Sequence, residues 1–244
     1  MVPSTGGDDA MKTIGLIGGM SWESTVTYYQ VINTFVKEKL GGFHSAKCVL
    51  YSVDFAEIES RMAVGAWTEA AEILGDAAIC LERAGADFIL ICTNTLHKVF
   101  DLVAARVSVP LLHIADAAAD ALDARGFKTV ALLGTKYTMR QDFYLARLAD
   151  RGFRVLVPDE KDMDEINRII FGELCLGEVR DESRRAYVEI LEKLSAMGAE
   201  AAVLGCTEIG MLVRPTDTDM PLFDTAVIHA RKAAEMALAG AGDA

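Results

Sequence analysis

Cys206 ends the run Ala199-Glu200-Ala201-Ala202-Val203-Leu204-Gly205-Cys206-Thr207-Glu208, in which small and apolar residues lead into glycine, a thiol and two polar side chains. Such a run reads as a buried parallel strand closing in a tight loop. Strand ends of α/β sheets are where side chains meet ligands. A thiolate there is a nucleophile or a proton acceptor, and a helix starting just after it would lower its pKa. In a purely structural role the same cysteine is a small buried apolar group. The run has an echo in Gly85-Ala86-Asp87-Phe88-Ile89-Leu90-Ile91-Cys92-Thr93-Asn94-Thr95, at an offset of 113, which sets Thr93 on Cys206. Thr93, Asn94 and Thr95 follow an apolar strand, as Thr207 and Glu208 follow the other. Such residues cap helices, and the helix-start amides beside them hold carboxylates. Glu208 suits a substrate ammonium, or serves as a first-turn acid. Cys92 should face the core, because neighbours in a strand point to opposite faces.

Weaker candidates surround these. Gly15-Leu16-Ile17-Gly18-Gly19 follows the first strand but matches neither GxGxxG nor GxxxxGK[ST], so it reads as a tight loop lining a cleft. His97 and His113 stand near strand ends and are able to pair with a thiol, though surface or capping roles suit them better. Asp54 ends a strand, facing the cleft or capping a loop. No lysine stands in a Schiff-base context.

The elements that position these residues follow from the pattern of apolar runs and breakers. Strands are expected at 12–19, 46–55, 87–92, 109–114, 129–134, 154–157 and 199–206. Helices are expected from Ser21, a plausible N-cap, to about 40, then within 56–84, 96–107, 116–125, 162–175, 182–197 and from Asp224 or Thr225 to about 238. Three anchors repeat. Residues 13–18 match 129–134 at an offset of 116, the two polar strand ends match at 113, and 110–115 match 221–226 at 111. The chain therefore reads as two pseudo-symmetric α/β domains, each a parallel sheet flanked by helices. The first comprises 11–114 plus 225–244 and the second 115–224, with the site in the cleft between them.

Of the 244 residues, 52% are hydrophobic, with a mean hydropathy of +0.24. The formal charge of −12 has no basic cluster to offset it, so nucleic acid is not an expected partner. No apolar run approaches the ~18 residues of a membrane span. Segment 1–10 reads as a disordered extension without the apolar core of a signal peptide. Five cysteines with no CxxC spacing fit free thiols in the cytoplasm and no structural metal.

Three motifs, GLIGGM at 15–20, CTNT-x-H at 92–97 and LGCTE at 204–208, are similar to those of the cofactor-independent aspartate/glutamate racemase superfamily. The wording around Gly19-Met20-Ser21-Trp22-Glu23-Ser24-Thr25 most resembles its broad-specificity amino-acid racemase branch. The resemblance spans residues 12–229. It implies two similar α/β domains, no cofactor, a small amino-acid substrate, and two-base proton transfer at Cα by a thiol from each domain. Cys206 matches the second thiol. Thr93 occupies the place of the first, a departure shared with this branch. Met20, Asn94, Thr95, Thr207 and Glu208 become the expected substrate contacts, and a homodimer fits the family. Part of the superfamily carries a lysine near Cys175 for a distal carboxylate; here Glu173-Leu174-Cys175-Leu176-Gly177 has none, so a strict preference for aspartate is not expected. The alternatives are a related cysteine enzyme, such as a hydantoin racemase or maleate isomerase, and a two-domain small-molecule-binding module.

Overall fold

The computed structural model describes residues 11–239; the expected extension at 1–10 lies outside them. The first unit runs β1 (Ile14–Gly18), α1 (Trp22–Leu40), β2 (Cys48–Ser52), α2 (Phe55–Ala63), α3 (Trp67–Arg83), β3 (Phe88–Ile91), a 3-10 turn (Thr95–Val99), α4 (Phe100–Ala104) and β4 (Leu111–Leu112). The second runs α5 (Ile114–Asp123), β5 (Thr129–Gly134), α6 (Lys136–Arg140), α7 (Asp142–Asp150), β6 (Arg154–Leu156), α8 (Glu160–Gly172), a 3-10 turn (Leu174–Leu176), α9 (Asp181–Ala196), β7 (Ala201–Gly205), α10 (Ile209–Leu212) and β8 (Leu222–Asp224). Helix α11 (Thr225–Leu238) closes the described chain.

Two four-stranded parallel sheets result, in the orders β2-β1-β3-β4 and β6-β5-β7-β8. Their registers reproduce the sequence offsets. Ile14 pairs with Phe88 as Val130 pairs with Ala201, and Ile89 pairs with Leu111 as Ala202 pairs with Leu222. The central strands β1, β3, β5 and β7 are apolar on both faces because helices cover both. On one face of the first sheet, Ile14, Leu16, Phe88 and Leu90 pack with Tyr28, Ile32 and Val36 of α1 and the alanines of α11. Ala226, Ala230, Ala233, Ala234 and Ala237 are all buried there; with only a methyl at each position, α11 lies close against α1. Each fully buried Leu or Ile of these clusters contributes about 1.5–3 kcal/mol.

Several boundaries differ from the sequence reading. The helix expected at 96–107 is split into a 3-10 turn and the short α4. The strand expected at 109–114 shrinks to Leu111–Leu112, because His113 leaves the sheet to cap α5 through an Ala115 N–H bond to its Nδ1. Asp224 caps α11 in the equivalent manner, receiving Ala226 N–H, so the repeat extends to the caps. Asp54 caps α2, the loop role open to it from sequence. No helix among the described residues is long and apolar enough to cross a membrane.

Candidate active site

Glycine allows the ends of β1 and β2, and of β5 and β7, to approach closely. A Cβ on Gly19, whose φ is +93°, would lie 2.3 Å from the Val53 carbonyl oxygen, and one on Gly134 would lie 2.6 Å from that of Gly205. Any side chain there would push the strand ends apart. Ser21 caps α1, its hydroxyl facing Ser24 N–H. The same hydroxyl donates to Glu208 Oε1 at 2.9 Å, and Ser21 N–H points to that oxygen at 3.3 Å. The start of α1 in the first unit is thereby tied to the β7 loop of the second.

Glu208 is the hub of the second unit's loop. Its Oε2 accepts Cys206 Sγ–H at 3.0 Å and the Thr207 hydroxyl at 2.9 Å. Four donors thus meet its two oxygens, both of those on Oε1 coming from Ser21. The expectation of a thiol made acidic by a following helix fails. Burial, reinforced by the neighbouring Glu208 charge, pushes the Cys206 thiol well above its ordinary pKa. The helix that follows, α10, has only four residues and begins at Ile209, too short for a sizeable dipole. Cys206 rests as a thiol with a carboxylate in contact to receive its proton. Behind it, burial raises the Cys175 and Tyr187 groups, and both feel the Glu208 charge.

The first unit's loop joins the same region. The Asn94 side-chain amide donates to Thr225 Oγ1 at 3.0 Å, whose hydroxyl donates to the Leu204 carbonyl at 2.7 Å. Thr93's loop is thus linked in two bonds to the strand that delivers Cys206. Asn94 Oδ1 is buried without a partner. Thr95 Oγ1 meets Thr135 Oγ1 at 3.0 Å, a bond between the units, and Thr135 caps α6. Met20 is buried in the first unit's core beside Ile17 and Ile91. Cys92 is fully buried among Leu90, Ile32 and the α11 alanines, on the core side as alternation requires. Cys206 and Thr93 keep 7% and 8% of their surface, whereas Cys92 has none.

His97, His113 and His229 form a buried cluster behind Thr93. The His97 ring lies 4.5 Å from that of His113 and 5.9 Å from that of His229. Burial pushes all three down: His97 well below its usual range, His113 far below, and His229 to about 4. They are neutral in the fold and accept protons only on unfolding, so the unfolded state binds more protons and stability rises with pH. The contribution is complete above the unfolded value of about 6.5 and is lost as pH falls below it, at up to ~1.4 kcal/mol per pH unit for each imidazole. The urea midpoint should drop steadily from pH 7 to 5, above the range in which carboxylates titrate. A flat midpoint over that interval would show that the imidazoles take up protons without unfolding.

Sequence reasoning missed Ser21 as a partner of Glu208, and Thr135 and Thr225 altogether as links between the units. Thr135 carried a usable signal, since it follows a β strand at Gly134 as Cys206 follows its own at Gly205. A groove of about 530 Å3 opens beside Thr135, lined by Met62, Lys136, Tyr137, Arg140 and Phe171.

A sequence profile of the Asp/Glu/Hydantoin racemase family matches residues 17–233. A candidate Asp/Glu racemase from Yersinia pestis is 53% identical, with a TM-score of 0.87 over 93% of this chain and 100% of that one. An aspartate racemase homologue from Pyrococcus horikoshii OT3 is 39% identical, with a TM-score of 0.81 over 93% and 99%. The broad specificity amino-acid racemase RacX of Bacillus subtilis is 22% identical over 93% of this chain and 98% of its own. With a profile that spans most of its length and two relatives well above 30% identity, the chain belongs to the Asp/Glu/hydantoin racemase family.

Proposed function

We propose that the protein is a cofactor-independent amino-acid racemase that inverts Cα by two-base proton transfer, with Cys206 on one face and the Thr93 position on the other. The observation that carries this reading is the Cys206–Glu208 contact at 3.0 Å, joined through Thr225 to the loop bearing Thr93. Glu208 takes the Sγ proton, and the thiolate takes the α-proton. The electron pair left at Cα spreads into the substrate carboxylate. Backbone N–H groups at 94–95 and 207–208 are the donors available to that charge as it grows. The Thr93 hydroxyl, or a water it holds, returns a proton to the opposite face; solvent then restores that proton as Glu208 releases the one it took. Substrate entry requires the units to part at Ser21–Glu208 and Thr95–Thr135, the bonds that now close the loops over Cys206.

Two further parts of the reading concern selectivity and assembly. Near Cys175, Arg168 and Arg180 are both drawn to the buried Glu173 carboxylate, so neither is free for a distal carboxylate; neutral polar amino acids are expected as substrates alongside aspartate and glutamate. A cytoplasmic homodimer is the expected form. Trp22, Val26 and Tyr29 expose 64%, 43% and 53% of their surface along one flank of α1, an apolar stripe suited to a second copy. The test is a panel of L-amino acids, hydantoins and maleate in deuterated water, followed by NMR and chiral chromatography. Cα deuterium and D-product from amino acids, neutral ones included, is the expected result. Turnover of hydantoin or maleate alone would replace the reading with that of a related cysteine enzyme, and exclusive use of dicarboxylates would refute the selectivity.

A further inference from the structure

We infer that His97 is the positioning residue for the Thr93 face: its imidazole fixes the Thr93 backbone, and through it the hydroxyl, against the second unit. The inference rests on the racemase reading above. His97 Nδ1 lies 2.7 Å from the Thr93 carbonyl oxygen. A carbonyl only accepts, so Nδ1 carries the hydrogen. Ile114 N–H donates to Nε2 at 3.2 Å, so Nε2 carries none. Both nitrogens are committed in one neutral tautomer, and a proton on Nε2 would face the Ile114 N–H. The ring stacks on Phe100, with centroids 5.6 Å apart and planes at 13°. His97 is therefore neither acid nor base for the substrate. It is a strut from the end of β3 to the first residue of α5, where the chain crosses into the second unit.

The other half of the molecule shows what the strut replaces. The Cys206 carbonyl, at the equivalent position, accepts the backbone N–H of Ile209 at 3.2 Å. In the second unit the turn closes on its own backbone; in the first, an imidazole four residues on takes that place. The difference matters because the two reacting groups differ. Cys206 has a carboxylate in contact, whereas the Thr93 hydroxyl has no ionisable hydrogen-bond partner among the described residues. An alcohol without such a partner depends on placement. Threonine is branched at Cβ and restricted in χ1, so a fixed backbone confines the hydroxyl to few positions. A misplacement of about 1 Å costs roughly 10²-fold in rate.

The experiment uses the full chain carrying His97→Asn or His97→Gln, each checked by circular dichroism and melting, with both enantiomers of a turned-over amino acid in deuterated water. The asparagine amide reaches the Nδ1 position and is able to donate to the Thr93 carbonyl. The glutamine side chain reaches the Nε2 position, accepts from Ile114 N–H and leaves that carbonyl unpaired. His97→Gln should lose inversion by roughly 10- to 100-fold and keep Cα exchange through Cys206 within about threefold of wild type, since that face is untouched. His97→Asn should invert clearly faster than His97→Gln. Exchange and inversion falling together in His97→Gln, or no advantage for His97→Asn, would overturn the inference and leave His97 a packing residue. Imidazole 15N shifts of the wild type give a readout independent of the variants. A neutral Nδ1–H ring from pH 7 to 5 is expected, and an Nε2–H tautomer overturns the assignment. No Cα exchange from any amino acid by folded wild type would instead remove the racemase reading, and this inference with it.

Discussion

Cys206→Ala is expected to abolish Cα exchange in deuterated water while leaving the melting curve nearly unchanged. A positioned acid–base group contributes roughly 10²–10⁴-fold, and here one thiol serves both deprotonation and, in the reverse direction, reprotonation of its face. On the proposed mechanism the loss should therefore reach the upper end of that range. Structural damage should be small. The sulfur is a single heavy atom at the edge of the second unit's core, bonded outward to Glu208 rather than inward. Removing it leaves Glu208 with its Ser21 and Thr207 donors intact, so no carboxylate is stranded. Cys92→Ala is the matched control. It deletes a fully buried thiol from the α1–α11 core, so it should lower stability by about 1 kcal/mol and leave exchange close to wild type. Glu208→Gln separates two roles of the carboxylate. If it serves only to link the units, the amide, which still accepts from Ser21, preserves the rate. As acceptor of the Sγ proton it is irreplaceable by an amide, and exchange should fall by at least tenfold. Near wild-type exchange in Cys206→Ala would remove the thiol from the chemistry.

The sequence carried the architecture well because each signal was local. A glycine after an apolar run marks a strand end whether or not its neighbours are known, and repetition at 116, 113 and 111 made the duplication legible before the strand registers repeated it. Cys92 and Cys206 were separable for the same reason, since alternation along a strand needs no tertiary information. What could not be read were properties of pairs distant in the chain. Ser21 and Glu208 are 187 residues apart and Asn94 and Thr225 are 131; nothing in either local stretch announces its partner. The direction of the Cys206 shift was misjudged on the same ground. Position before a helix argued for a lower pKa, but the helix is short, and burial dominates, reinforced by the carboxylate two residues on. Likewise His97 reads from sequence as a surface or capping residue, because only the crossing of β3, α5 and α11 makes its surroundings a closed cage.

L-substrate in deuterated water should gain Cα deuterium faster than it inverts, while D-substrate shows little such excess. The prediction follows from the unequal pair. Cys206 has Glu208 at 3.0 Å to carry its proton away and return it. Thr93 has only an alcohol, a far weaker acid than a thiol and one whose conjugate base is not populated near neutral pH, where a thiol is already partly thiolate. An enantiomer that presents its α-proton to Cys206 loses it readily, and the carbanion then recaptures a proton from the same thiol more often than from the opposite face. The prediction takes the L-enantiomer as the one whose α-proton faces Cys206. The asymmetry does not make the enzyme one-directional. Enantiomers of a simple amino acid have equal free energies in water, so kcat/KM must be equal in the two directions. The difference is confined to kcat and KM separately and to isotope exchange. Thr93→Cys should narrow the ratio of exchange to inversion for L-substrate by placing a second thiol where the alcohol stands. The new thiol has no carboxylate beside it, because Thr95 holds the position equivalent to Glu208 and is bonded to Thr135. The ratio should therefore shrink without reaching unity. Thr93→Cys together with Thr95→Glu should bring it closer to unity than either change alone, if the added carboxylate accepts from the new sulfur as Glu208 does from Cys206. Equal ratios for the two enantiomers in the wild type would show that Thr93, or a water it holds, exchanges protons as well as Cys206, and that the resting Cys206–Glu208 contact gives its face no kinetic advantage.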